Sequence, residues 1–259
     1  MIPTEALASA ARRDRAILLG GLAVMAGLAW VHMVGMASET SPACHGGMMS
    51  GARPWSASEF GTAAAMWMVM MAAMMLPIVS PWLLALSRAA RQRDLPPASF
   101  SATGGFLVGY LAVWTAYSAL AAAGQVALQR AALLSGEGAL TNRFVAAVLL
   151  AAAGVYQWTP FRDACMTQCR PPFAFFLSRW REGAWGAFSM GARHGLYCAG
   201  CCWALMGLSF VFGVMSLLWM AALTAFLLLE KATSAGPWLG KTGGAFLLGG
   251  AAWVLVRGP

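Results

Sequence analysis

The chain has 259 residues, of which 60% are hydrophobic and only 10% carry a charge. Soluble domains contain about 25% charged residues, so this composition excludes a soluble globular protein with an ordinary water-facing surface. A net charge of +8 would suggest a nucleic-acid partner in a soluble protein, but the basic residues here lie in loops beside apolar segments. That distribution excludes nucleic acid and fits a membrane surface.

The apolar segments predict an all-α fold: a polytopic helical membrane protein in which residues 1–259 form one integral membrane domain. A spanning helix needs roughly 20 apolar residues, so the length allows about seven spans with short loops. Most basic residues lie in the segments that this topology places on the same side of the membrane as the N-terminus. This distribution predicts a cytoplasmic N-terminus in a bacterial inner membrane. The predicted spans are residues 16–36, 60–84, 101–125, 143–158, 185–207, 211–230 and 243–256.

The polar loop after the first span contains Cys44 and His45, followed by Met48 and Met49. The seven-span topology places this loop outside the cell. Thiol, imidazole and thioether groups are ligands of soft metal ions, so the loop is a candidate site for capturing a metal. The alternative is that these residues have no ligand role in a glycine-rich loop.

The second span carries six methionines in ten residues. Thioethers bind Cu(I) and other thiophilic ions, whereas methionine also fills irregular gaps between helices. The high density of methionines favours metal contact, because packing alone would be served as well by Leu or Val, which are equally apolar and stiffer. The candidate ligands share two adjacent helical faces, with Met66, Met70 and Met74 on one and Met71 and Met75 on the other.

Two local patterns concern helix geometry. Pro77 and Pro81 predict that the second span kinks or ends near them. In the third span, Gly105 and Gly109 have the four-residue spacing of a helix-packing motif.

A short helix is predicted after the fourth span, with Thr159 as its N-cap and Pro160 in its first turn. It carries Cys165 and Cys169, one turn apart, on the side that the topology makes cytoplasmic. Two such thiols predict a site for release or docking of Cu(I). Structural cysteines and a regulatory disulfide are the alternatives.

The fifth span combines a histidine with three cysteines. His194 and Cys198 lie one turn apart, and Cys201 follows on much the same face. Cys202 is adjacent to Cys201, so we expect at most one of that pair to face a single ion. An ionisable residue within a membrane is costly to bury and is therefore a functional candidate. These four residues form the second predicted metal site within the membrane.

The second and fifth spans run in opposite directions in the predicted topology. With a rise of about 1.5 Å per residue, Met70, Met71 and Cys198 come to similar depths, so we predict that the two faces oppose each other.

Glu230 and Lys231 end the sixth span. The simplest interpretation is a charge pair at the membrane interface. Pairing with Arg193 and a role in proton transfer are the alternatives.

Three uncommon sequence blocks occur in order: MMAAMMLP at 70–77, YQWTPFRDACMTQCRPP at 156–172 and GARHGLYCAGCCWALM at 191–206. In these blocks the chain resembles a bacterial family of predicted metal-binding integral membrane proteins, over residues 60–235. The resemblance implies a membrane location and metal binding, with copper as the expected metal. Cys44 and His45 lie outside the similar region.

The leading hypothesis is a non-enzymatic membrane protein that binds Cu(I), or another thiophilic metal, for transport or delivery. The metal would pass from the outer loop along the methionines to the fifth-span site, and then to Cys165 and Cys169. Its partners would be the lipid bilayer and a protein that donates or accepts the metal. The second hypothesis is an accessory or assembly subunit of a membrane complex, and the third is a membrane thiol oxidoreductase.

Overall fold

The computed structural model describes residues 4–39, 57–91, 100–135, 138–170, 172–214 and 216–257. These residues form helices joined by short connections, with an isolated antiparallel bridge between Leu134 and Leu140, so the predicted all-α fold is confirmed. The helices are α1 (Thr4–Glu39), α2 (Ala57–Arg91), α3 (Phe100–Arg130), α4 (Arg143–Tyr156), α5 (Pro160–Cys169), α6 (Pro172–Arg179), α7 (Gly183–Gly207), α8 (Ser209–Phe212), α9 (Leu217–Ala232) and α10 (Gly236–Arg257).

Fewer helices can cross a membrane than the seven that hydropathy predicts. Within the described residues, four are long and apolar enough, and a fifth span results if the bent pair α4 and α5 is counted as one. The prediction of seven spans is therefore wrong, and the cytoplasmic N-terminus, which depended on that count, stays a prediction. The four are Ala57–Ala89, Ala102–Arg130, Gly183–Phe212 and Gly236–Arg257.

Three predicted spans correspond to apolar helical segments that are too short to cross the hydrocarbon core. The apolar part of α1 is limited to Leu19–Gly35 among the described residues. Helix α4 has 14 residues and α9 has 16. At about 1.5 Å per residue these helices are about 21 and 24 Å long, less than the ~30 Å hydrocarbon core. The last predicted span is, by contrast, a full helix of 22 residues.

Helices α4 and α5 meet at an angle of 63°. The predicted cap is confirmed: Thr159 has an extended backbone, and its hydroxyl accepts a hydrogen bond from the backbone N–H of Arg162, with Pro160 in the first turn. Because Thr159 caps a separate helix, α5 can begin in a direction different from that of α4. Helix α5 therefore packs against α7 instead of extending α4.

Pro77 and Pro81 do not end α2, which continues to Arg91. Pro81 has no N–H to donate to the carbonyl of Pro77, one turn earlier. The hydroxyl of Ser80 donates to that carbonyl instead, at 2.8 Å. Such side-chain donors make proline tolerable inside membrane helices, so the helix end that the prolines predict is absent.

Helices α3 and α7 approach so closely that both need residues without side chains. A Cβ added to Gly109 would lie 2.8 Å from the backbone nitrogen of Ala192, and one added to Gly191 would overlap the backbone of α3. Gly105 is also packed against the α7 backbone. The packing motif predicted from Gly105 and Gly109 is confirmed. This contact holds Tyr110 of α3 against the centre of α7.

Replacing Gly109 by alanine is expected to destabilise the protein by about 1–3 kcal/mol, because the new Cβ would force α3 and α7 apart. Gly104→Ala is the matched control, since nothing lies within 4 Å of a Cβ at Gly104. Thermal unfolding in detergent compares the two variants with the wild type. A melting temperature for Gly109→Ala equal to that of the control would contradict the packing argument.

Candidate metal centre

The centre of α7 presents three fully buried thiol groups. Cys198, Cys201 and Cys202 are each 0% exposed. The thiols of Cys201 and Cys202 donate hydrogen bonds to the carbonyl oxygen of Cys198, at 3.1 and 2.9 Å. Both sulfur atoms of the adjacent pair therefore lie near one carbonyl oxygen, and the expectation that at most one of them faces a single ion stays a prediction.

A fourth thiol comes from α5. Cys169 is buried and lies close enough to interact electrostatically with Cys198 and Cys201. Helices α5 and α7 can approach because Gly200 has no side chain: a Cβ there would lie 2.7 Å from the sulfur of Cys165. We call the four residues Cys169, Cys198, Cys201 and Cys202 the thiol cluster.

Cys165 and Cys169 lie in α5, which packs against the helix that carries the other thiols, and the cytoplasmic location predicted for them stays a prediction. Helix α5 lies beside the middle of the candidate span Gly183–Phe212, because the bend after α4 turns it inward. The hydroxyl of Tyr156, at the end of α4, holds this arrangement by donating a hydrogen bond to the carbonyl of Gly200. Because this ten-residue helix is polar, its packing against α7 could not be predicted from hydropathy.

His194 is fully buried one turn before Cys198. Its ring stacks on Trp82 of α2, with 3.6 Å between ring centroids, and lies 5.4 Å from the ring of Tyr110. Within the described part of the chain, neither ring nitrogen has a hydrogen-bond partner. Buried polar atoms without partners are rare and need an explanation. A neutral imidazole nitrogen is a common metal ligand, so His194 remains a candidate.

Two polar groups from other helices contact the sulfur of Cys198. The Nζ of Lys231 in α9 donates a hydrogen bond to it at 3.0 Å, and the hydroxyl of Tyr110 lies 3.3 Å away. A nearby ammonium group stabilises a thiolate, the form of cysteine that binds metals. Neither residue was predicted to be part of the site. In the sequence, Lys231 is only a charge at the end of a predicted span, and no pattern distinguishes Tyr110.

Helices α2 and α7–α8 run in opposite directions and touch through aromatic rings at two levels. Trp82 stacks on His194, and the ring centroid of Trp67 lies 5.2 Å from that of Phe210. The contacts are 15 residues apart along α2 and 16 residues apart along the other segment. The two segments therefore advance by nearly the same number of residues between these contacts, so positions between them can be matched.

Interpolation between these contacts sets the level of each methionine. By this interpolation Met74 and Met75 come near the level of Cys201 and Cys202. The predicted match of Met70 and Met71 with Cys198 stays a prediction. Met66 is half-buried, and the other four candidate methionines are buried: Met70, Met71, Met74 and Met75.

A fully buried ion pair joins Arg162 of α5 to Glu230 of α9. Arg170, just after α5, donates to the carbonyls of Glu230, at 2.9 Å, and Thr233. Both ends of α5 are therefore bound to the C-terminal end of α9. Helix α10 leaves room for the pair at Gly240, where a Cβ would lie 2.5 Å from a guanidinium nitrogen of Arg162.

The interpretation of Glu230 and Lys231 as a simple interface pair is wrong. Glu230 binds Arg162 and Lys231 binds Cys198. Neither pairs with Arg193, which is exposed. Adjacent residues on a helix point in different directions, so one charge faces α5 while the next faces α7.

Within the described ranges, no group of three or more His, Cys, Asp or Glu side chains is arranged around a common metal position. Cu(I) does not need so many ligands, since two sulfur atoms in a near-linear arrangement can hold it, and soft sulfur ligands select it. The donor set of the thiol cluster fits this ion. Cys44 and His45 lie outside the described residues.

Replacing Glu230 by glutamine is expected to destabilise the protein by about 3–5 kcal/mol, because the buried charge of Arg162 then keeps only the half-exposed carboxylate of Asp163, 3.6 Å away. Glu182→Gln is the matched control, since Glu182 is exposed and such surface changes stay within about 0.5 kcal/mol. Unfolding in detergent measures both variants. Equal stability of the two would mean that the ion pair does not hold α5 in place.

The model of the PpoB2 family, described as copper chaperones, matches residues 64–254 of the chain. The matched region includes the thiol cluster, His194 and the methionines of α2. No curated protein and no solved structure has a significant match to the chain. The family match covers well over half of the residues and agrees with the soft donor set described above. The chain therefore belongs to the PpoB2 family of copper chaperones.

Proposed function

We propose that the protein binds Cu(I) within the membrane, at the thiol cluster and His194, and hands it to a partner protein. The observation that carries this proposal is a buried histidine with two unpartnered ring nitrogens, one turn before Cys198 of the thiol cluster. Family membership supports copper as the metal. Thiolate and thioether ligands favour Cu(I) over harder ions.

The proposed ligands come from three helices. The thiol cluster supplies sulfur atoms from α5 and α7, His194 lies at its edge, and Met74 and Met75 are at the same level on α2. Cys165 lies beside the cluster, against Gly200. Several soft donors close together allow a Cu(I) ion to exchange one ligand for another without leaving the site.

The charge of Lys231 gives a reason for Cu(I) in particular. Two thiolates and one Cu(I) carry one net negative charge, and an uncompensated charge is costly in a buried site. The ammonium group of Lys231, which donates to Cys198 at 3.0 Å, balances it. A divalent ion on the same two thiolates would already be neutral, so Lys231 would then be left as an excess positive charge.

The methionines of α2 offer a path to the cluster. Met66 is half-buried, whereas Met70 and Met74 are fully buried on the same helical face. Each step between them is about 6 Å along the helix. Neutral thioethers would carry Cu(I) inward without adding charge, starting from the loop with Cys44 and His45.

The proposed role is that of a non-enzymatic chaperone in a bacterial inner membrane. Its partners would be a protein that supplies Cu(I) and one that accepts it. Helices long enough to span a membrane support this location. Uptake of Cu(I) into vesicles containing the protein would add transport to delivery, whereas an accessory subunit would bind and release Cu(I) without uptake.

The purified protein, kept reduced in detergent, is expected to bind Cu(I), and the variant Cys198→Ser/Cys201→Ser should bind it at least about 100-fold more weakly, a larger loss than outer-shell changes cause. Competition with a colorimetric Cu(I) chelator measures the affinity. The matched control is Met25→Leu/Met68→Leu, which also removes two sulfur atoms, both from exposed side chains.

The results separate the alternatives. If the wild type holds neither Cu(I) nor another thiophilic ion under reducing conditions, the proposed function fails. If the wild type binds Cu(I) but the cysteine variant binds it equally well, the site lies outside the thiol cluster. Formation of a disulfide in the cluster during substrate turnover would favour a thiol oxidoreductase instead.

Replacing Lys231 by leucine is expected to weaken Cu(I) binding by about 10–100-fold, the usual cost of losing a partner of a metal ligand. Lys231→Arg keeps the charge and should retain most of the affinity. Binding of Cd(II), a divalent thiophilic ion, should fall less than binding of Cu(I). Equal losses for both ions, or no loss for either, would contradict charge compensation.

A further inference from the structure

A cavity lined by three arginines lies at the start of α7. Its volume is about 360 Å³. Arg179 ends α6, Arg181 follows in the connection, and Arg193 belongs to α7. Phe175 and Met190 form part of its apolar wall. None of the three arginines takes part in the proposed metal centre.

Among the residues that the structure describes, no carboxylate compensates the positive charge of this cavity. None of its described lining residues is acidic, and no ion pair within the described ranges involves Arg179, Arg181 or Arg193. Arg193 donates one hydrogen bond, to the hydroxyl of Tyr197 at 3.3 Å. Glu182 follows Arg181 in the sequence but is exposed and does not line the cavity. Three cationic groups around a concave surface attract an anion.

The cavity lies at the end of a candidate membrane span, Gly183–Phe212. Arg179 and Arg181 precede this span, and Arg193 follows its first residue by about 15 Å along the helix axis. The span is about 45 Å long and the hydrocarbon core ~30 Å thick, so the Cα of Arg193 lies within the hydrocarbon. An arginine there directs its long side chain back to the interface or binds an anionic group. All three arginines line one cavity, at the end of this span that begins with Gly183.

Apolar side chains continue from the cavity along the outer surface of α7. Trp185 is 76% exposed and Leu196 is 63% exposed, on the same side of the helix as Arg193. Tryptophan is enriched where membrane helices meet the headgroup layer. A basic cavity next to an exposed apolar surface matches the two parts of a phospholipid.

We infer that this cavity binds the phosphate group of an anionic phospholipid, with the acyl chains along the exposed surface of α7. Its volume is at the lower end of the usual range for ligand pockets, about 300–1,000 Å³, which suits a headgroup and not a whole lipid. Basic pockets between membrane helices bind anionic headgroups in this way. The inference is independent of copper binding.

The test is lipid retention by the full chain. The purified protein is incubated with equal amounts of phosphatidylglycerol and phosphatidylcholine in mixed micelles, and bound lipid is counted by native mass spectrometry. The wild type should retain phosphatidylglycerol in preference. The variant Arg179→Gln/Arg193→Gln should lose this preference by about 25-fold, since one arginine near a membrane surface contributes about fivefold.

Arg88→Gln/Lys241→Gln is the matched control, because it removes two positive charges from exposed positions that do not line the cavity. It should keep the preference of the wild type. An equal loss in both double variants would overturn the inference in favour of general electrostatic attraction. Equal retention of the two lipids by the wild type would overturn it as well.

Two further arms complete the test. Soluble glycerol phosphate in excess should leave the bound lipid in place; if it displaces the lipid, the cavity is a site for free phosphate esters and the lipid assignment is wrong. Arg181→Gln, a single change at an exposed position, repeats the measurement if the double variant unfolds. It should lower the preference by about fivefold.

Discussion

The buried ion pair between Arg162 and Glu230 is the interaction on which the arrangement of the site depends. Neither charge can be left alone in this environment, so α5 and α9 stay together. Arg162 shares its short helix with Cys169, and Glu230 is followed by Lys231, which contacts Cys198. One pair outside the proposed ligand set therefore positions both a thiol and the charge that compensates it.

Local and periodic features of the fold could be predicted from the sequence. The cap at Thr159 depends only on neighbouring residues, and the packing of Gly105 and Gly109 depends on a four-residue spacing. The number of spans could not be predicted, because a hydropathy window averages over the bend between α4 and α5 and cannot distinguish a short apolar helix such as α9, with 16 residues, from a spanning one. Helix α2 does not end at Pro81, because Ser80 supplies the missing donor.

The candidate site also has residues that could be predicted from the sequence and residues that could not. Thiols and an imidazole inside apolar segments are chemically unusual, so the residues of α7 stood out. The residues that contact them in space did not stand out. The bend before α5 brings Cys169 beside them. Lys231 and Tyr110 contact Cys198 from other helices, and no pattern in the sequence indicates these contacts. The level of the methionines depends on the axial offset between α2 and α7, which two aromatic contacts reveal.

The contact between Cys165 and Gly200 links two sequence blocks that are far apart in the chain. The sulfur atom occupies the space into which a side chain at position 200 would project. A sequence with this arrangement can enlarge one of these positions only by reducing the other. The two positions should therefore vary together among members of the family, and that correlated variation would mark Cys165 as a packing residue, separable from cysteines retained for their chemistry.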